Sequence, residues 1–248
     1  MVDQILTALR SIEAESDVRV LYACESGSRA WGFASPDSDY DVRFFYVHPR
    51  DWYLSIEGHR DVIERMLPND LDLAGWDLHK TLGLLRKSNP ALIEWLRSPI
   101  VYRQDDAFMH EFRELASTYA SPQRCFLHYL HMAEGNWRTY LQDALVKHKK
   151  YLYVLRPVMA ARWIERSGEM APMEFQRLME VCPPEPKGAI EELLRVKASS
   201  GEMASGPPIP DIHAFLGSEL ARLRGLNWPR EGALAVEPLN VFFRRWVG

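Results

Sequence analysis

Cysteine is scarce in this chain: Cys24, Cys125 and Cys182 are its 3 among 248 residues, and no two of them form a C-x-x-C pair. An odd thiol remains under any pairing, which excludes a complete disulfide framework and a thiolate zinc site and predicts a reducing, cytoplasmic setting. Long apolar runs are missing as well. No stretch approaches the ~18 residues that a membrane span needs, and the opening Met1-Val2-Asp3-Gln4-Ile5-Leu6 has no basic segment ahead of an apolar one, so neither a membrane partner nor secretion is expected. Positive charge is not in excess: 30 Lys and Arg face 34 Asp and Glu, a net −4, and any polyanion must be met by a local patch. There is no H-E-x-x-H, and Glu25-Ser26-Gly27 lacks the first glycine of a nucleophile elbow, which removes Ser26 and Ser28 as acyl nucleophiles. No internal repeat or low-complexity tract is present. What remains is a globular composition, 47% apolar and 26% charged, able to bury roughly 70–75% of its unfolded surface as one large domain or two small ones.

The first third alternates elements. Ile5, Leu6, Leu9 and Ile12 stand at helical spacing, and Val18 to Cys24 reads as a buried strand. After the turn-rich Ala34 to Ser38, a second strand runs from Asp39 to Val47, with Tyr40, Val42 and Phe44 on one face and Asp39, Asp41 and Arg43 on the other. Arg60 to Leu67 is a weaker strand, and Asp70-Leu71-Asp72-Leu73 is another, acidic on one face. The period turns helical from Trp76, and Asn89-Pro90 begins a new helix. Beyond Tyr102 the pattern is almost wholly helical: 106–119, 122–146, 149–165, 172–181, 189–198, 211–223 and 239–247, with Pro/Gly/Ser-rich joints at 182–186 and 199–210. An open-sheet half followed by a helical half is expected, with a ligand cleft between them.

The strongest pattern is Gly27-Ser28, ten residues, then Asp39-Tyr40-Asp41-Val42. A Gly-Ser pair after a strand leaves backbone N–H groups and a hydroxyl for phosphate oxygens. Aspartates at i and i+2 of a strand project from one face with Cα atoms ~6.6 Å apart, close enough for their carboxylates to converge on a pair of Mg²⁺ ions ~3.5–4 Å apart. Asp72, between Leu71 and Leu73, supplies a third carboxylate, with Asp70 and Asp77 as alternatives. Singly, a Gly-Ser is a turn and an Asp-x-Asp a solvated strand edge; together they point to phosphoryl chemistry.

This arrangement resembles the signature of the DNA polymerase β-like nucleotidyltransferase superfamily. Glu25 to Phe45, Gly75-Trp-Asp-Leu78, Ser88 to Tyr102 and Lys149-Lys-Tyr-Leu-Tyr-Val-Leu-Arg-Pro157 are more closely similar to the bacterial predicted nucleotidyltransferases of the YcgL/RlaP type. The resemblance covers about residues 20 to 167. It implies an α+β fold, a small mixed-sheet polymerase β-like palm (1–103) followed by an all-helical half (104–248), with Mg²⁺, an NTP donor, ATP foremost, and an RNA or tRNA end as acceptor. In that reading Asp39, Asp41 and Asp72 hold the metals, and Gly27, Ser28, Arg29 and Arg43 meet the nucleotide. Lys149, Lys150 and Arg156, on a helix bent at Pro157, are read as facing the triphosphate that the first half lacks the charge to neutralise. The competing reading of Lys147-His148-Lys149-Lys150 is a solvated helix end. His128, His131 and Glu134 at three-residue spacing are a weaker metal candidate, and Trp31, Trp76 and Trp95 are candidate base-stacking rings. A catalytically silent nucleotide- or RNA-binding module and a small-molecule, antibiotic-type adenylyltransferase are the alternatives.

Overall fold

The computed structural model describes residues 1–199, 205–228, 231–232 and 234–248. In chain order the elements are α1 (Val2–Ser16), β1 (Arg19–Glu25), α2 (Gly27–Trp31), β2 (Tyr40–Val47), α3 (Arg50–Tyr53), β3 (Val62–Leu67), β4 (Leu71–Asp77), α4 (Leu78–Arg86), α5 (Pro90–Leu96), β5 (Val101–Gln104) and α6 (Asp106–Tyr119). The helical remainder is α7 (Pro122–Tyr140), β6 (Val146–Lys147), α8 (Lys149–Ser167), α9 (Phe175–Leu178), a 3₁₀ turn at Met179–Val181, α10 (Pro184–Ser199), β7 (Ser205–Gly206), α11 (Pro210–Arg224) and α12 (Glu237–Val247). No described helix is long and apolar enough to cross a membrane.

The chain divides into two compact units, both discontinuous in sequence. The first comprises residues 1–30, 39–120 and 232–248; the second comprises 31–38 and 121–231. A boundary drawn at 103/104 falls inside β5, and α6 lies in the first unit, where its Phe112 ring meets Phe45 of β2 at 5.7 Å. The C-terminal helix joins the same layer through Phe242, 5.5 Å from Phe108.

In the first unit a mixed five-stranded sheet has the order β3-β4-β2-β1-β5; β2 and β4 are parallel, and the other pairs are antiparallel. The face bearing Val42, Phe44, Tyr46, Leu71 and Leu73 packs on Ile5, Ala8, Leu9 and Ile12 of α1, whose spacing of three and four gives the helix its apolar stripe. The opposite face changes character along its length. Asp41 and Arg43 stand at one end of β2, and Phe45, stacked 5.7 Å from Trp95, stands at the other. On β4 the same face runs Asp72, Ala74 and Trp76, and Trp76 stacks on Trp95 at 3.7 Å. β4 therefore continues through Trp76 to Asp77, past the helical start expected at Trp76, because the indole belongs to this aromatic layer. Gly75 is required in β4 because a Cβ there would lie 2.2 Å from the Phe44 ring. Trp95 is thus buried in the core, and Trp76, half-buried, has one face taken up by the stack on it.

The second unit is built around α7 and α8. α8 runs through Pro157 to Ser167 as one helix and is buried on almost all sides. α7 ends at Tyr140, short of the expected 146, because Val146 pairs with Gly206 and Lys147 with Ser205 in a two-residue ladder. The joint expected at 199–210 lies partly outside the described residues. Residues 31–38 belong to this unit through Phe33, whose ring meets Phe175 edge-on at 5.6 Å, and through Ser35, whose hydroxyl accepts a 2.6 Å bond from Lys197 Nζ.

Candidate functional site

The site is built where β1, β2 and β4 begin or end together. Parallel pairing sets Asp41 directly beside Asp72, Arg43 beside Ala74 and Phe45 beside Trp76. Of the three carboxylates considered on or near β4, Asp72 is therefore the one brought to Asp41. Asp70 lies in the β3–β4 turn with a left-handed φ of 55° and accepts the Tyr40 N–H through its carbonyl. Asp77 is buried, caps α4 by accepting the His79 N–H at 2.7 Å, and accepts the Tyr53 hydroxyl at 2.5 Å. Asp39 precedes β2 and is exposed, its carbonyl accepting from Arg29 Nε at 3.1 Å.

Gly27 follows β1 with φ +58°, a region that L side chains rarely adopt, and a Cβ built on it would lie 1.9 Å from Asp41 Oδ2. The space over this glycine, which the sequence reading reserves for a phosphate, is thus taken by the Asp41 carboxylate. The Ser26 N–H donates to the Asp41 carbonyl at 2.8 Å, tying the Gly-Ser turn to the Asp-x-Asp strand. Ser28 and Arg29 lie in the short helix α2, and the Arg29 guanidinium rests 3.8 Å over the Tyr40 ring.

Arg43 joins the two acids. Its Nη2 donates to Asp41 Oδ1 and to Asp72 Oδ2, each at 2.8 Å, and its Nη1 reaches the Val42 and Asp72 carbonyls at 3.2 Å. Side-chain exposures of 17% for Arg43, 27% for Asp41 and 29% for Asp72 make this a half-sheltered cluster. Burial pushes the Asp41 carboxyl above its usual range against the downward pull of Arg43, and the charges of Asp72 and Asp39 add to the rise.

Glu25, the last residue of β1, was missed by sequence reasoning. It is fully buried, accepts the Asp41 N–H at 2.8 Å and takes the Tyr102 hydroxyl on its other oxygen. Burial pushes its carboxyl up as well. The available signal was a charged residue closing an apolar strand; the partner on β5 that makes it tolerable lies 77 residues away.

In the second unit the sequence-expected cations part company. Lys149 opens α8 half-buried, and Lys150 Nζ lies 4.2 Å and 4.4 Å from the Tyr140 and Tyr153 ring centroids, where burial lowers its pKa. Arg156 is 4% exposed, stacks 4.5 Å over Trp31 and donates to the Met173 carbonyl at 3.3 Å. It is enclosed in the helical core, with Trp31 as its stacking partner. Glu134, the end of the weaker metal candidate, is held by Arg224 at 2.7 Å.

Carboxylate oxygens are the donors that Mg²⁺ prefers, and the Gly27 cradle keeps side-chain bulk away from Asp41. Asp41 and Asp72, with Asp39 at the strand entrance, fit such an ion in chemistry. Among the described residues, however, no group of three or more His, Cys, Asp and Glu is gathered to hold a metal; a guanidinium nitrogen stands between Asp41 and Asp72 instead.

A nucleotidyltransferase-like protein from Exiguobacterium sibiricum 255-15, solved at 1.90 Å, covers 88% of this chain and 72% of its own at 14% identity and a TM-score of 0.31, a likeness too loose to build on. The Bacillus subtilis (strain 168) protein called Uncharacterized protein YcgL is 47% identical over 225 residues, which is 90% of this chain and 86% of that one. The family model described as RNA repair pathway DNA polymerase beta family, RlaP, matches residues 1–245, and the chain belongs to that family.

Proposed function

We propose that the protein is a metal-dependent nucleotidyltransferase that moves NMP from an NTP, with ATP the expected donor, to a hydroxyl at an RNA end. The observation that supports this most is the placement of Asp41 in parallel register with Asp72 and directly against Gly27. In the reaction the acceptor oxygen bonds to the α-phosphorus, the bond to the β-phosphate oxygen breaks and pyrophosphate leaves. Asp39, Asp41 and Asp72 would hold a pair of Mg²⁺ ions, which when bound would supply charge neutralisation for the phosphoryl transfer, and Asp72 takes the hydroxyl proton. Ser28, the N–H groups beside Gly27 and Arg29 orient the phosphates. Lys149 and Lys150 are candidate partners of the triphosphate.

Incubation of the protein with Mg²⁺, each α-labelled NTP and an RNA pool tests this reading. Label should enter RNA with one NTP preferred, and Asp41→Asn should abolish it. Label in no acceptor overturns the reading. A second reading, a nucleotide-binding module without turnover, is favoured by the Arg43 bridge across both carboxylates; it predicts NTP binding with no transfer.

A further inference from the structure

The sequence places Arg43 among the residues that meet the nucleotide, yet its guanidinium occupies the position between two metal-ligand candidates. A single nitrogen, Nη2, makes both 2.8 Å ion pairs, so one oxygen from each aspartate already converges on one positive point. That convergence is what an ion bridging the two strands would require. The backbone bonds of Nη1 are longer, 3.2 Å to each of two carbonyls, so the two ion pairs are the guanidinium's shortest contacts. Ala74, the register neighbour of Arg43 on β4, has only a methyl side chain. The cluster is also unbalanced. Asp41 and Asp72 share the one guanidinium that bonds both, and Arg29, whose charge also acts on Asp41, is set against the exposed Asp39 two residues from it.

We propose that Arg43 is a built-in counter-cation that holds Asp41 and Asp72 together and that a divalent ion must exchange in order to bind. This rests on the reading of Asp41 and Asp72 as metal ligands and adds a property to it: the site's affinity for a metal alone is set by competition with its own arginine. A guanidinium cannot be deprotonated at working pH, so the exchange is a movement of the side chain. The anionic phosphates of an incoming nucleotide are natural new partners for the released group. Metal and nucleotide should then bind with positive coupling, each removing part of the other's cost.

The test is calorimetric titration of Mn²⁺ into the full chain at pH 7.5, with and without a non-hydrolysable ATP analogue. Arg43→Gln should bind Mn²⁺ alone at least tenfold tighter than the parent, about 1.4 kcal/mol, and the double variant Arg43→Gln/Asp72→Asn should lose that gain. Arg43→Lys, whose ammonium lacks the planar fork, should fall between parent and Arg43→Gln and keeps the test open if the glutamine variant does not fold. Mn²⁺ binding by Arg43→Gln, or by a folded Arg43→Lys in its place, no tighter than by the parent overturns the counter-cation role while leaving the metal reading intact. No Mn²⁺ binding by any of these proteins, even with the analogue, overturns both.

Discussion

Two arginine–carboxylate clusters, one in each unit, differ in how their charges count. In the helical unit Arg162 and Arg222 share Glu219 at 2.7 and 2.8 Å, and Arg222 also grips Glu165 through both its Nη atoms, at 3.0 and 2.8 Å. Two guanidiniums meet two carboxylates. Burial alone would push Glu219 up, but bonds from both arginines outweigh it and hold the carboxyl below its ordinary range, and Arg222 does the same for Glu165. In the sheet unit one guanidinium bonds two carboxylates, Arg29 adds only its charge, and burial pushes Asp41 the other way. A balanced cluster contributes to the fold; an unbalanced one has charge left for something else.

The largest effect that would break this contrast is at Asp41. Asp41→Asn should lower nucleotidyl transfer by about a thousandfold or more, as loss of a metal-holding group does (about 4 kcal/mol in the barrier), while the urea midpoint at pH 7 stays near the parent's. A variant that unfolds as easily as a Glu219 variant would make both clusters structural.

Glu219→Gln should instead destabilise the chain by about 3 kcal/mol at pH 7, because it leaves buried guanidinium charge uncompensated. The pH dependence gives a sharper check. A carboxyl with a depressed folded pKa stabilises fully above its unfolded value, near 4.5, and loses that stabilisation as pH falls through the folded value. The gap between parent and Glu219→Gln, followed by urea unfolding, should therefore close below pH 4.5; a gap that stays constant would remove the ion pair as its cause.

Gly27→Ala comes next. The methyl would collide with Asp41 Oδ2 on a backbone of positive φ, so a loss of about 2 kcal/mol in stability and at least tenfold in transfer is expected. Unchanged turnover would mean that the collision is relieved without moving the carboxylate. The smallest effect concerns the helical unit's own cations. Removing charge at Lys149 and at Lys150 separately should raise the apparent NTP KM about tenfold at one or both, ~1.4 kcal/mol; two parental KM values would leave the nucleotide to the sheet unit.

Much of the sheet unit was legible because its signals are local. α1 reads from its three-and-four stripe, α5 from Asn89-Pro90, which cap and open it, and β2 from an alternation that separates Val42 and Phe44 from Asp41 and Arg43. Asp72 reads from the sequence as an acid flanked by leucines, but that it, and not Asp70 or Asp77, stands beside Asp41 follows only from the parallel register. What escaped depends on distant pairing. The role of Glu25 requires Tyr102, the end of α7 requires Gly206, and the enclosure of Arg156 requires Trp31. No window of neighbouring residues contains these pairs, and a basic run before a proline looks the same whether its arginine is wet or stacked.

Eight of the ten residues between the Gly-Ser turn and Asp39, those at 31–38, belong to the helical unit, while both motifs that flank the stretch belong to the sheet unit. This has a consequence for modularity. The chain cannot be dissected or recombined at the 120/121 joint as two exchangeable cassettes. A fragment ending at Ala120 would strand Trp31 and Phe33 without Arg156 and Phe175, and would lose α12 from its own aromatic layer. A chimera that swaps in a relative's helical half must bring the matching 31–38 segment with it. The stretch with the least obvious chemistry is thus the one that obliges the two units to be inherited together.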